Sequence, residues 1–191
     1  MIRVRKARPK DQEKIITLIQ KYMSNNGISR TIWEQLFVNH WNLKDYYFGY
    51  VLVEDEELFG FLGTIICERL INNKLEKFSN LTTFVVDEKY RKNSIALLYP
   101  LLRRKDYTVT ALTSSESTDK IYGIAGFKIL ESRMKIIIPN RVNSLGGGNI
   151  NLILDNNIIN KNIKNDELKI YNNHLKFNAV YILIKSLNDR C

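Results

Sequence analysis

Hydrophobic residues near the start of the chain follow first a strand period and then a helical one. Residues 2–7 alternate apolar and basic side chains, which predicts a strand. Pro9 then opens a helix with one apolar face, and Gly27 ends it. A second helix follows, and its apolar stripe either packs in a core or lines a binding pocket. That stripe consists of Ile32, Trp33, Leu36, Phe37 and His40.

Three antiparallel strands are predicted next, joined by two tight turns. The strands cover residues 47–54, 57–70 and 74–87, and the turns are Asp55-Glu56 and Asn72-Asn73. Asparagine suits the second turn because it tolerates the left-handed backbone conformation. The third strand ends in a β-branched and aromatic run, residues 81–86, which predicts a central, buried strand.

A strand, helix, strand unit follows, because the period becomes helical after Tyr90 and residues 107–112 again resemble a strand. Pro100 is expected to kink this helix. A short helix over residues 118–125 precedes two last strands at 128–131 and 134–138. The order β-α-α-β-β-β-α-β-α-β-β predicts an α/β (α+β) fold with a mixed, mostly antiparallel sheet flanked by helices.

Composition changes after Pro139. The last 53 residues contain thirteen asparagines and a run of three glycines at 146–148. We therefore expect a domain over residues 1–138 and an asparagine-rich extension over 139–191. Two short apolar runs, 150–154 and 179–184, are too little for a separate core and are expected to pack on the domain. The abrupt end leaves two interpretations open, a truncated chain or an extension one strand short.

Cysteine, histidine and charge patterns exclude several classes of function. Cys67 and Cys191 form no disulfide framework or zinc motif, and the separated His40 and His174 support neither a metal site nor a catalytic triad. No apolar run approaches the roughly 20 residues of a membrane helix, and no signal peptide is evident, so a soluble, cytoplasmic protein without a membrane partner is expected. Its oligomeric state stays open, with a dimer as one option.

A net charge of +9 would suit nucleic acid or a phosphorylated ligand. Basic residues are not interleaved with aromatic ones, and neither a helix-turn-helix pattern nor a zinc signature is present. The pattern therefore favours a phosphorylated ligand over nucleic acid.

Two motifs carry a family resemblance. The segment Arg91-Lys92-Asn93-Ser94-Ile95-Ala96 follows a strand that ends in Val85-Val86, and Tyr122-Gly123-Ile124-Ala125-Gly126-Phe127 comes later. Together with the element order over residues 2–138, they resemble the GNAT superfamily of acyl-CoA-dependent N-acyltransferases. Its members carry Arg/Gln-x-x-Gly-x-Gly/Ala at the start of a helix and Tyr-x-x-x-Gly-Phe on a later one. Ser94 departs from this pattern, since glycine is expected there.

The resemblance implies acetyl-CoA or another acyl-CoA as cosubstrate. Its phosphates would bind the free amide groups of a helix's first turn, with Arg91 and Lys92 adding charge. The pantetheine arm would pair with the strand before that helix, like an added strand. In the other interpretation, Asn93 or Ser94 only caps the helix. The implied contacts are Phe84, Val85, Val86, Arg91, Lys92, Asn93, Ser94, Ile95, Ala96 and Ser115.

By the same resemblance, Tyr122 is the candidate general acid that protonates the departing thiolate, unless it is simply a packed helix tyrosine. Glu76 is the candidate general base, and Glu68 and Asp87 are further candidates. The other interpretation of each is an ordinary exposed carboxylate. Threonines 82 and 83 face either the reacting groups or a sheet neighbour.

The sequence thus predicts an acyltransferase that moves an acetyl or other acyl group to a primary amine by direct attack. The acceptor is expected to be a small molecule or amino sugar, with protein lysines still open. The alternative is a catalytically inactive acyl-CoA-binding or regulatory module, which the departure at Ser94 permits.

Overall fold

A computed structural model describes residues 1–44, 46–130, 150–175, 177 and 179–186. The chain divides into two compact units, Met1–Glu131 and Ser132–Cys191. The predicted boundary at Pro139, the glycine run at 146–148 and the strand at 134–138 lie outside the described residues.

The first unit begins as predicted. Strand β1 (Ile2–Lys6) leads through the 3-10 turn Pro9–Asp11 into helix α1 (Gln12–Met23). The helix buries Ile15, Ile16, Leu18 and Ile19, which confirms its apolar face. Gly27, at φ 70°, follows where the left-handed conformation ends the helical segment.

The second helix is shorter than its stripe suggests. Helix α2 (Arg30–Glu34) continues only as the 3-10 turn Gln35–Phe37, and His40 lies beyond it. Trp33 is buried and Phe37 packs against the same cluster, as core packing requires. Ile32, by contrast, is 57% exposed, so its expected place on a core face is wrong.

Strands β2 (Gly49–Glu54), β3 (Glu57–Ile71) and β4 (Lys74–Val86) form the expected antiparallel ribbon. Both predicted turns are confirmed. Each places two consecutive residues at positive φ, 48° and 67° in the first and 49° and 61° in the second. This is the backbone signature of a type I′ hairpin turn, whose twist matches that of the strands it joins.

Strand β5 (Thr108–Thr110) completes a sheet of order β1-β2-β3-β4-β5. It runs parallel to β4 and pairs only with residues Phe78 to Asn80, whereas the other neighbours are antiparallel. Helix α4 (Glu116–Ile124) follows. A mixed, mostly antiparallel sheet flanked by helices is therefore confirmed.

The crossover between β4 and β5 differs from the prediction. It consists of a 3-10 helix, Glu88–Leu97, and a short α-helix α3 (Tyr99–Leu102). Pro100 lies in the first turn of α3, where a missing N–H costs nothing, so it starts a helix instead of kinking one. The predicted strand at 128–131 is also wrong over residues 128–130, which form no strand.

Each face of the sheet has its own hydrophobic cluster. On the first face, the crossover and α4 pack against the sheet, and on the second face α1 and α2 do so. The first-face cluster includes Leu62, Leu81, Leu97, Leu98, Leu101 and Tyr122, with Phe84 and Phe127 packed against it. The second-face cluster includes Ile15, Ile19, Trp33, Phe61 and Val85.

The second unit contains strands β6 (Ile150–Ile153) and β7 (Leu183–Ser186), which pair antiparallel. Helices α5 (Asn156–Asn162) and α6 (Asn165–His174) connect them. Strand β6 matches the first predicted apolar run, while β7 starts later than the second. In the described parts of both units, no helix is long and apolar enough to cross a membrane.

Candidate functional site

Strand β4 is irregular at Thr83. The register with β3 shifts there, because Phe84 lies opposite Leu62 and Thr82 lies opposite Gly63, which leaves Thr83 without an opposing residue. Thr83 has φ 45°, a left-handed conformation that is costly for a β-branched residue. This one-residue bulge interrupts the ladder with β3, which resumes at Phe84, and bends the strand.

The bulge coincides with the loss of the neighbouring strand. Strand β5 pairs with β4 only as far as Asn80. From Leu81 to Val86, the described residues provide no strand on that side of β4. We call Leu81 to Val86 the open edge of β4. Its outward N–H and C=O groups are available to an extended ligand that binds like an added strand.

Helix α4 places Tyr122 beside this open edge. The Tyr122 ring stacks on Phe84 of β4, with centroids 6.2 Å apart, and on Phe127, at 5.0 Å. Tyr122 is only 6% exposed. Burial, with a smaller contribution from the Asp119 charge, raises the pKa of Tyr122 to about 12. The phenol is therefore protonated at neutral pH.

The Tyr-x-x-x-Gly-Phe motif has a local structural explanation. Gly126 takes a left-handed conformation, φ 87°, just after the helix. The Phe127 N–H donates to the Tyr122 carbonyl at 3.0 Å, and the two rings stack. This bond and this contact define a Schellman motif, which satisfies carbonyls at a helix end. The motif thus both ends α4 and orients the Tyr122 ring.

The segment Arg91 to Ala96 lies inside the 3-10 helix Glu88–Leu97, not at a helix start. Asp87 is the N-cap and accepts from the Lys89 N–H at 3.2 Å. Capping of this helix by Asn93 or Ser94 is therefore wrong. Within a 3-10 helix most N–H groups bond three residues back, so the free amides expected here are largely engaged.

Two cations remain accessible along that segment. Arg91 and Lys92 are both exposed. Among the described residues, Arg91 has one weak ion pair, to Glu88 at 3.4 Å. Exposed pairs of this kind contribute little and exchange readily for a stronger anion. A phosphate group at this segment would therefore meet the positive charges of Arg91 and Lys92 and few free backbone amides.

Ser115 is the N-cap of α4. Its hydroxyl accepts from the Thr118 N–H at 3.4 Å and contacts the hydroxyls of Ser117 and Thr118 at 3.0 and 2.9 Å. Its local role is to start the helix that carries Tyr122.

Glu76 is not brought near Tyr122. It lies eight residues before Phe84 on β4, which is about 26 Å at the usual rise of a strand. Its carboxylate pairs with Lys74 at 2.8 Å near the hairpin turn. Glu68 is on the facing strand of the same hairpin, opposite Lys77. Asp87 accepts from the Tyr22 hydroxyl at 2.8 Å and pairs with Lys21 at 3.1 Å.

Sequence reasoning missed two features of the site. The bulge at Thr83 has no sequence signal, because threonine is a poor residue for positive φ. Asp119 was detectable, since a residue three positions before Tyr122 shares its side of the helix. The described residues contain no group of three or more His, Cys, Asp or Glu side chains that could hold a metal ion.

Comparison with known proteins identifies the fold. No protein-family model matches the sequence, and neither does any curated protein. Among solved structures, a predicted acetyltransferase from Clostridium acetobutylicum with acetyl-CoA is similar, with TM-score 0.55 and 16% identity over 72% of this chain and 96% of that one. NAA60 from Arabidopsis thaliana in complex with acetyl-CoA is also similar, with TM-score 0.54 and 19% identity over 69% of this chain and 88% of that one.

A third structure is glucosamine-6-phosphate N-acetyltransferase from Arabidopsis thaliana, with TM-score 0.51 and 16% identity over 73% of this chain and 99% of that one. Identities this low establish the fold alone. The chain has the GNAT fold, and the fold predicted from its motifs and element order is confirmed.

Proposed function

We propose that this chain binds an acyl-CoA along the open edge of β4 and transfers the acyl group to a primary amine. The observation that carries the proposal is the contact between Tyr122 and Phe84. It places a protonated phenol at an edge that can accept an extended, amide-bearing chain. A GNAT fold supports the same interpretation.

The open edge fits a pantetheine arm because both have amides spaced along an extended chain. Backbone groups of Phe84, Val85 and Val86 would pair with it, and the bulge at Thr83 would hold the thioester near the closed end of the gap. Arg91 and Lys92 would bind the phosphates through charge, with Asn93, Ser94, Ile95 and Ala96 alongside. We propose Ser115 as a more distant contact, at the start of α4.

Tyr122 acts as the general acid in this proposal. The amine nitrogen bonds to the acyl carbon, the carbon–sulfur bond breaks, and Tyr122 gives its proton to the departing sulfur. The proton lost from nitrogen passes to solvent, and solvent restores the phenol. Glu76 stays a predicted base, although the separation along β4 does not favour it.

The acceptor is proposed to be a small molecule or amino sugar. Similar solved structures include an enzyme named for glucosamine-6-phosphate, which supports such an acceptor by fold alone. We also propose a cytoplasmic location for the protein.

A thermal-shift titration with acetyl-CoA, CoA and desulfo-CoA tests the cofactor. At about 100 times its dissociation constant, a specific ligand stabilises the fold by about 2.7 kcal/mol. All three should raise the melting temperature, because the edge and the cations do not contact the sulfur. Arg91→Ala should weaken binding about tenfold, the order of one charged contact. No shift with any of the three ligands rejects the proposal.

The second candidate is an acyl-CoA-binding module without catalysis. One observation favours it, namely the distance of Glu76 from Tyr122, which leaves the reaction without an assigned base. It predicts the thermal shift without release of free CoA in the presence of any amine.

A further inference from the structure

The strained residue Thr83 is the feature that the proposed function leaves unexplained. A β-branched side chain at φ 45° is strained compared with an ordinary strand residue, and glycine would avoid that strain. Strain of this kind persists where the surrounding structure enforces it, and it points to a role for the residue concerned.

The hydroxyl groups of Thr82 and Thr83 lie together on one face of the sheet. Their oxygens are 3.3 Å apart. Leu81 packs in the first-face cluster, so Thr82, the next residue along β4, faces the other way. Its methyl group lies across Gly63, 3.0 Å from where a Cβ would be. The hydroxyl pair is therefore on the second face, and Tyr122 is on the first.

This arrangement separates two chemical roles across the open edge. A thioester held in the gap has its carbonyl attacked from above or below its plane. Tyr122 occupies the first face, beside the leaving sulfur in the proposed reaction. The hydroxyl pair, which is half-buried and open to solvent, occupies the other face, where the incoming nitrogen needs a hydrogen-bond partner.

Among the described residues, the two strands carry only neutral hydrogen-bonding side chains here, and the carboxylates of the helices packed on this face, Glu13 of α1 and Glu34 of α2, pair with Arg30. Residues 60–64 of β3 and 81–86 of β4 include threonines but no aspartate or glutamate. A hydroxyl accepts a hydrogen bond from a neutral amine but offers an ammonium ion no opposite charge. Such a site favours an amine that is substantially neutral near pH 7.

We infer that the Thr83 hydroxyl, paired with Thr82, contacts the acceptor amine and selects weakly basic amines, such as α-amines, over lysine side chains. The inference rests on the proposed acyl transfer. An α-amino group has a pKa of about 7.7–8.0 and a lysine side chain about 10.4, so their neutral fractions at pH 7 differ by more than a hundredfold.

The experiment uses the full chain, acetyl-CoA and two probe amines, glycinamide for the α-amine and Nα-acetyl-lysinamide for the ε-amine. Release of free CoA is followed by a thiol reagent. The wild type should prefer glycinamide by at least about tenfold in kcat/KM at pH 7. Raising the pH should increase the rate with each amine in step with that amine's own pKa.

Three variants separate the hydroxyl from the strain. Thr83→Val keeps the β-branch and removes the hydroxyl, so the melting temperature and the acetyl-CoA shift should stay unchanged while kcat/KM for glycinamide falls about tenfold. Thr83→Ser should retain activity. Thr83→Gly should raise the melting temperature by about 2–4 °C and lose as much activity as the valine variant.

Asn73→Gly is the matched control for positive φ, at a turn away from the site. It should change neither activity nor, by more than about 1–2 °C, the melting temperature, since asparagine tolerates this conformation.

The outcomes are distinguishable. A wild type without any acetyl-CoA shift rejects the proposed function itself. A wild type that binds acetyl-CoA but acetylates neither amine overturns the Thr83 inference and favours the binding module. Full activity of Thr83→Val, or equal use of both amines, also overturns the inference and leaves cofactor binding intact.

Discussion

Two segments of β4, Phe78 to Asn80 and the open edge from Leu81 to Val86, have opposite surroundings. At Phe78 to Asn80 the strand has hydrogen-bonded neighbours on both sides, β3 and β5, and its geometry is regular. From Leu81 to Val86 it retains only β3, carries a bulge and contacts the Tyr122 ring through Phe84. The comparison shows that an edge able to accept an added strand arises within a sheet when one neighbour ends early. No additional element is needed.

The largest expected effect on kcat is at Tyr122, beside the open edge of β4. Tyr122→Phe keeps the stacked ring and removes the proton donor, so kcat should fall by about 10²-fold or more, the usual contribution of a general acid. The melting temperature and the acetyl-CoA shift should change little. Steady-state kinetics with saturating acetyl-CoA and glycinamide gives the measurement.

Tyr90→Phe is the matched control for that experiment. Tyr90 also stacks on a phenylalanine, Phe59, but its hydroxyl donates to Glu54, away from the open edge. Its kcat should stay near that of the wild type. Unchanged turnover in Tyr122→Phe would remove the assigned acid.

The ion pair between Arg5 of β1 and Asp11, before α1, should show the reverse pattern, with stability lost and chemistry retained. Asp11 is buried and accepts from both Arg5 amino groups, at 2.6 and 2.9 Å, and from the Arg8 N–H at 2.7 Å. Asp11→Asn leaves Arg5 without its charge partner and should cost about 3 kcal/mol, or about 6–12 °C in melting temperature. Turnover of the folded variant should be normal.

The dependence of the free energy of unfolding on pH, measured at acid pH, provides a second test of the Arg5–Asp11 pair. The Arg5 hydrogen bonds, helped by the Arg8 amide, hold the pKa of Asp11 below its ordinary 3.8. The carboxylate therefore stabilises the fold above pH 3.8, and this contribution disappears as the pH falls through the lowered pKa. Asp11→Asn should therefore lack this loss of stability at low pH. Glu13→Gln, at the exposed pair with Arg30, should cost less than about 1 kcal/mol.

The smallest effect on kcat is expected in the β3–β4 hairpin near Glu76, on the other side of the segment that pairs with β5. Glu76→Gln should change kcat by less than about twofold, because about 26 Å of strand separates it from Phe84. Glu68→Gln, on the facing strand, is its control. A hundredfold loss of kcat in Glu76→Gln, with an unchanged melting temperature, would instead support Glu76 as the base. It would also contradict the role proposed for the open edge of β4.

Much of the fold was predictable because its elements follow simple periods. The β-branched and aromatic run in residues 81–86, the asparagine turn at 72–73 and the apolar face of α1 each have a local cause. Tyr122 was also identifiable, since its motif contains the helix-ending glycine. The 3-10 form of Glu88–Leu97 was not predictable, because an α-helix and a 3-10 helix share nearly the same pattern. The bulge depends on the pairing of Thr82 with Gly63, a residue distant in sequence.

The Schellman motif at the end of α4 also has a consequence for folding order. The contact between Tyr122 and Phe127 spans only five positions, so its loop-closure cost is small and it can form early. The pairing of β3 with β4 joins residues up to 26 positions apart, as between Gly60 and Val86. The Tyr122 ring would therefore be oriented by its own helix end before β3 and β4 pair.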